Sequence, residues 1–405
     1  MDKIILHCDL NNFFASAALT RNPTLKQLPV AVCGDSEKRH GIILAKNNIA
    51  KGFGVKTAET IWEAKRKCPD LVMLKPDYEL YEDFSLKARK IYMDYSDKVE
   101  PFGIDECWVD VSNPGFDFVK GEDIANEIRK RIKAELSLTV SVGVSFTKTF
   151  AKLGSDIKKP DAVTVISKEN FKSIVWPLSV SELLMVGKKT EKALHSMGIF
   201  TIGDIASAKT AALEKKLGKN GLYLQQSARG EENSPVVSVN SRPKPKSISH
   251  SATSERDLVN IDEVYTAFLE FAENISQKLK SEELLAKSIG INATTNDFRV
   301  MQFQTPLEAP TDMAIIIANT AINLFEKNLN FDTPFRAVGI RAINLTQRDT
   351  PATQLSLFES VEDEKKRLLE DNVINIRNKF GKDSIKRAST INNKAKSSSP
   401  GFYKR

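Results

Sequence analysis

The chain has 405 residues, more than one hydrophobic core ordinarily holds, so about two to four domains are expected. Its composition, 41% hydrophobic and 27% charged, excludes disordered, collagenous and fibrous classes. The net charge of +7 is unevenly placed: residues 361–405 hold 12 Lys and Arg against 6 Asp and Glu, so the rest is nearly neutral and any nucleic acid must meet local basic patches. No apolar run approaches the roughly 18 residues needed to span a bilayer, and Asp9 comes too early for a signal peptide. The four cysteines form no CxxC and the four histidines add no zinc-ligand cluster. The expectation is a cytoplasmic chain without disulfides or membrane contact.

In chain order, Lys3 to Leu10 (KIILHCDL) reads as a buried strand with Asp9 at its exit. Helices are expected over Tyr81 to Tyr95 and over Glu122 to Glu135, where Ile124, Ile128 and Ile132 recur every fourth residue. Strands are expected at Cys107 to Val111 and Leu138 to Val144, giving an α+β sheet covered by those helices on one face. Residues 167–230, short-segmented and glycine-punctuated, predict a small all-helical domain. Pro235, Pro243 and Pro245 predict a stiff, extended connector, and Arg242, Lys244 and Lys246 make it a candidate DNA contact. Beyond it, strands at Ser288 to Thr294, Arg299 to Thr305 and Ala337 to Leu345, with helices at Asp262 to Lys280 and Asp312 to Leu324, predict a second α+β domain. Gln347 to Phe358 reads as loop. Leu369, Val373, Ile376 and Phe380 then mark one helix face stopped by Gly381, and the final stretch reads as disordered.

Asp105 and Glu106 are adjacent acids between apolar segments, and such charges are costly unless compensated. In isolation such a pair is more often an acidic turn in solvent, and Asp9 at the end of another apolar strand alters that balance. If their strand neighbours that of Asp9, three carboxylates converge, and they cannot all ionise unless cations lie between them. That arrangement suits two Mg²⁺ ions shared with substrate phosphates.

Five segments in order, DLNNFFAS (Asp9 to Ser16), AKNNIAKGFGVKT (Ala45 to Thr57), YELY (Tyr78 to Tyr81), IDECWVDV (Ile104 to Val111) and SVGVSFTKTFAKLGSDIKKPD (Ser141 to Asp161), together resemble the Y-family translesion DNA polymerases of bacterial DNA polymerase IV type. The resemblance covers residues 1 to about 358. It implies a multidomain α+β right hand: palm 1–18 and 77–166, short fingers 19–76, helical thumb 167–232, linker 233–246, an α+β little finger 247–346, and a C-terminal segment 347–405. It implies that Asp9, Asp105 and Glu106, with the Leu10 carbonyl, hold two Mg²⁺ ions. Phe14 falls on the position of the steric gate against a sugar 2′-hydroxyl, beside Phe13, while Asn48, Lys51 and Lys159 face the triphosphate. Asn48 stands where many relatives carry an aromatic ring and Lys51 where arginine is frequent, exchanging a stack for hydrogen bonds and a fork for a point charge.

Residues 181–205 are similar to the family's helix-hairpin-helix, with Gly187 and Lys188 at the DNA phosphate and Lys189 where a second glycine is usual. Ser247 to Leu258, with Arg256, matches a little-finger strand that contacts phosphates. QLSLF resembles the sliding-clamp pentapeptide, implying that Gln354, Leu355, Leu357 and Phe358 bind the clamp. The resemblance therefore implies a monomeric, low-fidelity polymerase whose partners are primer-template DNA, deoxynucleoside triphosphates and the clamp. The rivals are a catalytically inactive clamp- and DNA-binding scaffold of the same fold and another two-metal phosphoryl-transfer enzyme. Three retained acids speak against the first, and Phe14 with QLSLF against the second.

Overall fold

The computed structural model describes residues 3–34, 41–239, 241, 244–348, 361–381, 384–386 and 388. These residues form two compact units, the first ending at residue 241 and the second starting at 244. The first unit runs β1 (Ile5–Leu10), α1 (Phe13–Arg21), β2 (Val30–Cys33), β3 (Ile43–Lys46), α2 (Asn48–Gly52), α3 (Ile61–Lys67), β4 (Val72–Leu74), α4 (Tyr78–Met93), β5 (Val99–Pro101), β6 (Glu106–Asp110), α5 (Phe118–Leu136), β7 (Val140–Ser145), α6 (Lys148–Ile157) and β8 (Val163–Ile166). The helices α7 (Phe171–Val175), α8 (Lys188–His195), α9 (Ile202–Ser207), α10 (Thr210–Leu217) and α11 (Lys219–Ala228) follow.

Its main sheet has the order β5-β6-β1-β7-β8, with β1 antiparallel to both neighbours. The expected helices α4 and α5 bury one face, with Leu6, Cys8, Leu10, Ile128 and Ile132 in a common core. The other face is also covered, by α6, which is why β1 reads as a continuous apolar run without alternation. This cover demands glycine at two positions: a Cβ on Gly143 would run into the Ala151 carbonyl, and one on Gly154 would lie 3.1 Å from the Gly143 Cα. A separate sheet, β3-β2-β4, has its own small core of Ala31, Ile43, Ala50, Ile61 and Leu71. Helix α3 starts at a capping box in which Thr60 and Glu63 satisfy each other's backbone N–H groups. The helices α7 to α11 share a core that continues into α6 through Phe150 and Leu153.

The proline-containing connector is only partly a connector. Val236 is buried against Ile5, Trp108 and Ala151, the Val237 N–H donates to Glu100 at 2.9 Å, and Glu232 accepts from the Thr149 N–H at 3.1 Å. The segment around Pro235 is thus strapped to the first unit rather than extended in solvent.

The second unit runs β9 (Ser247–Leu258), α12 (Ile261–Ser281), β10 (Leu284–Thr295), β11 (Val300–Thr311), α13 (Ala314–Asn328), β12 (Phe335–Ile343), β13 (Thr346–Gln347) and α14 (Val361–Phe380). Its antiparallel sheet, β11-β10-β12-β9, packs α12 and α13 on one face. The residues alternating away from that core include exposed Ser249, Ser251, Gln302, Gln304 and Arg341. No helix among the described residues is long and apolar enough to cross a membrane.

Helix α14 forms where the apolar period and Gly381 predict it. The 3.6-residue periodicity is real, and Gly381, at φ 97°, closes the helix by donating its N–H to the Arg377 carbonyl at 2.9 Å. The apolar stripe nevertheless does not face the core: Leu369 is 64% and Phe380 66% exposed. The helix docks through its charged residues instead. Buried Glu370 accepts from the Ala314 and Ile315 N–H groups at 3.1 and 3.2 Å, Arg377 lies 2.8 Å from Glu273, and Asp371 pairs with Lys280. Helix α13 has no side-chain cap of its own, so Glu370 satisfies orphan donors at its start from 55 residues away. Replacing Glu370 by Ala should cost about 1–2 kcal/mol locally, as loss of an N-cap does. Hydrogen exchange at the first amides of α13 should therefore rise about tenfold or more.

Candidate active site

Antiparallel pairing of β1 with β6 sets Asp9 directly opposite Glu106, and the Leu10 N–H donates to the Asp105 carbonyl at 3.1 Å. Because strand side chains alternate, Ile5, His7 and Asp9 lie on the α6 face, as do Glu106 and Trp108 across the ladder. Three of the predicted site acids are therefore neighbours, brought together from residues about 100 apart in sequence.

Helix α6 and the loop after it supply the counter-charges. Lys159 Nζ lies 2.7 Å from Asp9 Oδ2 and 2.8 Å from Asp156 Oδ1, and Lys152 Nζ lies 2.8 Å from Glu106 Oε2. The buried His7 ring bridges the same region, with Nδ1 2.8 Å from the Ser155 hydroxyl and Nε2 3.3 Å from Glu106 Oε2. Burial holds His7 below its ordinary pKa and so favours the neutral ring. Burial also pushes Asp9 up to about 7 even though the Lys159 ammonium opposes it. Asp105 is raised by burial and then by the charge of Glu106. For Glu106 burial acts upward as well, but His7 and Lys152 together outweigh it and hold the carboxyl at about 2.

As they stand, no three His, Cys, Asp or Glu side chains among the described residues enclose an ion. The donor chemistry nevertheless fits one: three carboxylates and the Leu10 carbonyl are hard oxygen ligands, and their crowding calls for positive charge.

The predicted gate lies beside the acids. Asn12, at φ 50°, turns the chain from β1 into α1, where Phe13 is buried and Phe14 half-buried. The Phe14 ring stacks on Tyr81 at 4.2 Å and 11°, and Tyr78 meets Phe14 edge-on at 6.1 Å. Asp77 caps α4 by accepting from the Leu80 N–H at 3.1 Å, which sets both tyrosines on one helix face. Asn48 accepts a hydrogen bond from the Asn12 side chain at 2.9 Å, so it faces this turn. Lys51 is exposed on α2, and its charge, after burial, helps lower the pKa of nearby Lys46.

The remaining predicted residues lie elsewhere. Gly187 caps α8 in open space with an ordinary φ of −91°, and Lys188 is exposed at the helix start. Lys189, where a second glycine is usual, sits inside α8 and not in the turn before it. The left-handed position is Met185, at φ 71° and 62% exposed. Lys244 and Lys246 are exposed in the second unit, and Arg256 on β9 is paired with Glu263. Arg242, Gln354, Leu355, Leu357 and Phe358 lie outside the described residues.

His7, Lys152, Asp156 and Tyr81 were missed as parts of the site. Lys148, Lys152 and Asp156 recur every fourth residue on α6, so their shared face was the available signal.

The sequence matches the impB/mucB/samB family over residues 8–156 and that family's C-terminal domain over residues 245–357. DNA polymerase IV of Acetivibrio thermocellus is 46% identical over 388 residues, which are 96% of this chain and 97% of that one. DNA polymerase IV 1 of Bacillus subtilis is 34% identical over 96% of this chain and 93% of its own. The fold is similar to that of the solved Y-family DNA polymerase chimera Dbh-Dpo4(243-245)-Dbh. The TM-score is 0.76 at 24% identity, covering 85% of this chain and 99% of the chimera.

The turn before α8 yields a direct test. Since a side chain in the left-handed region costs about 1 kcal/mol or more, Met185→Gly should leave stability unchanged or raise it by roughly 0.5–1 kcal/mol in urea unfolding.

Proposed function

This chain belongs to the impB/mucB/samB family of Y-family DNA polymerases and is a DNA-directed DNA polymerase, and on that premise we propose that it extends a primer by two-metal phosphoryl transfer, copies damaged templates at low fidelity and is recruited by the sliding clamp. The observation that carries the reading is the pairing of Asp9 with Glu106, with Asp105 beside them and two lysine ammoniums on their oxygens. Such a cluster is costly in a protein that only binds DNA, which favours a polymerase over an inactive scaffold.

Asp9, Asp105, Glu106 and the Leu10 carbonyl would hold two Mg²⁺ ions, which supply the positive charge that activates a primer 3′-hydroxyl and stabilises a leaving pyrophosphate. Lys159, 2.7 Å from Asp9, would exchange that carboxylate for a triphosphate oxygen. Lys152 stays on Glu106 and keeps that carboxylate ionised. Phe14, backed by the Tyr81 ring, presents a fixed aromatic surface that would clash with a 2′-hydroxyl. Asn48 and Lys51 bring a hydrogen-bonding group and a cation from the β3-β2-β4 region.

Gly187 and Lys188 at the start of α8, and Lys244, Lys246 and Arg256 with the β9 hydroxyls, serve as sequence-independent phosphate contacts, as does Arg242. Gln354, Leu355, Leu357 and Phe358 serve as the clamp peptide, on the strength of their resemblance.

Primer extension with Mg²⁺ on intact and abasic templates should proceed with the parent chain and vanish in the Asp105→Ala/Glu106→Ala variant. A scaffold would bind DNA and extend nothing. Phe14→Ala should admit ribonucleotides while retaining deoxynucleotide insertion, so unchanged sugar discrimination in single-nucleotide insertion would remove Phe14 from the gate.

A further inference from the structure

Arg129 stands in α5, outside every segment that suggested the site, yet its guanidinium is directed at the arm carrying Lys159. Nε donates to Asp161 Oδ1 at 3.1 Å, Nη2 to the Asp161 backbone carbonyl at 2.6 Å, and Nη1 to Asn126 Oδ1 at 2.8 Å. Lys133 adds a second, more exposed cation 3.4 Å from Asp161 Oδ2. From the opposite side the Asp161 N–H donates to Asn11 Oδ1 at 2.9 Å. Asn11 is buried two residues beyond Asp9 and is itself fixed, its N–H to the Thr139 carbonyl at 2.9 Å and its Nδ2 to the Ser141 hydroxyl at 2.9 Å.

Asp161 is thus gripped on its N–H, its carbonyl and its carboxylate while its backbone sits at φ 53°, a conformation that a non-glycine residue keeps only when its surroundings hold it. Lys159 lies two residues upstream and Asp9 two residues before Asn11, so one clamp ties together the ammonium and the carboxylate it faces. We propose that Arg129 is a positioning residue for the incoming nucleotide: by forking onto Asp161 it fixes the arm from which Lys159 reaches the triphosphate. The proposal rests on the reading of Lys159 as a triphosphate ligand.

As a stability device the Arg129–Asp161 pair would count for little, since both side chains are a quarter exposed. Its geometry is what a lysine cannot reproduce: one guanidinium holding a carboxylate and a carbonyl at once. A cation that meets the triphosphate before and during reaction contributes uniform binding, so misplacing it raises KM more than it lowers kcat.

Single-nucleotide insertion by the full chain, compared across Arg129→Gln, Arg129→Lys, Lys159→Ala and the Arg129→Gln/Lys159→Ala double variant, tests this. Arg129→Gln should raise KM for the deoxynucleotide roughly tenfold, in line with loss of an outer-shell partner, with kcat within about twofold. Arg129→Lys should recover only part of the loss. In the Lys159→Ala background the same change should add less than about twofold, because both act through one contact. Primer-template affinity without nucleotide should be unchanged, and hydrogen exchange over residues 158–162 should rise. A KM unmoved by Arg129→Gln, or a rise that persists in full without Lys159, overturns the proposal. A Lys159→Ala variant with the parent KM overturns instead the reading of Lys159 on which it stands. Should Arg129→Gln fail to fold, Asp161→Asn decides: it tolerates the left-handed backbone and keeps the carbonyl acceptor, and it should raise KM by about threefold, a parent-like value counting against the proposal.

Discussion

Two carboxylates placed opposite each other on adjacent strands are the constraint to which the rest of the first unit answers. Opposed residues of an antiparallel pair stand about 5 Å apart, where like charges repel by roughly 3 kcal/mol at an effective dielectric of about 20. Asp9 and Glu106 are held in that relation by the ladder itself, since sliding the register by one residue would turn Ile5, His7 and Asp9 into the α4–α5 core. Compensation must come from the remaining direction, above the sheet, and α6 provides it with Lys152 and, from the loop beyond, Lys159. The height of α6 over β7 is in turn set by Gly143 and Gly154. Bare backbone at two positions is thus what lets two ammoniums reach two carboxylates.

The α6 face of β1 is graded along its length. Ile5 meets Trp108, Ala151 and Val236, His7 meets Ser155 and Glu106, and Asp9 meets Lys159. Apolar packing at one end anchors the helix, and the polar end is left for chemistry. Val236 belongs to the anchoring end, and with the Val237 N–H on Glu100 it straps the stretch after α11 to the unit.

Much of this was legible in the sequence, and the failures have physical causes. The buried strand, the α4, α5 and α12 helices and the unusual cost of Asp105 and Glu106 follow from local pattern. The meeting of Asp9 with Glu106 does not, because strand adjacency across about 100 residues leaves no local trace, and the motif resemblance carried that step. Short strands β5 and β8 were invisible because three or four residues give no periodicity. The positive φ of the turn before α8 falls on Met185, which spacing alone does not reveal. In α14 the period was legible, but what the helix docks against was not. Its ionic side meets an uncapped helix start and two complementary charges, and that pairing places the helix instead of its apolar stripe.

The site acids also differ in how firmly each is committed to its present partner. Glu106 is held ionised by His7 and Lys152, which outweigh its burial. Asp9 is the opposite case: burial brings it to about 7 against the opposing charge of Lys159 and, more weakly, of Lys152. On the proposed reading Lys159 would turn toward a triphosphate from an arm that Asn11 and Arg129 hold at Asp161. The two opposed acids thus take their counter-charges from different places, Glu106 from Lys152 within α6 and Asp9 from Lys159 in the loop that follows it.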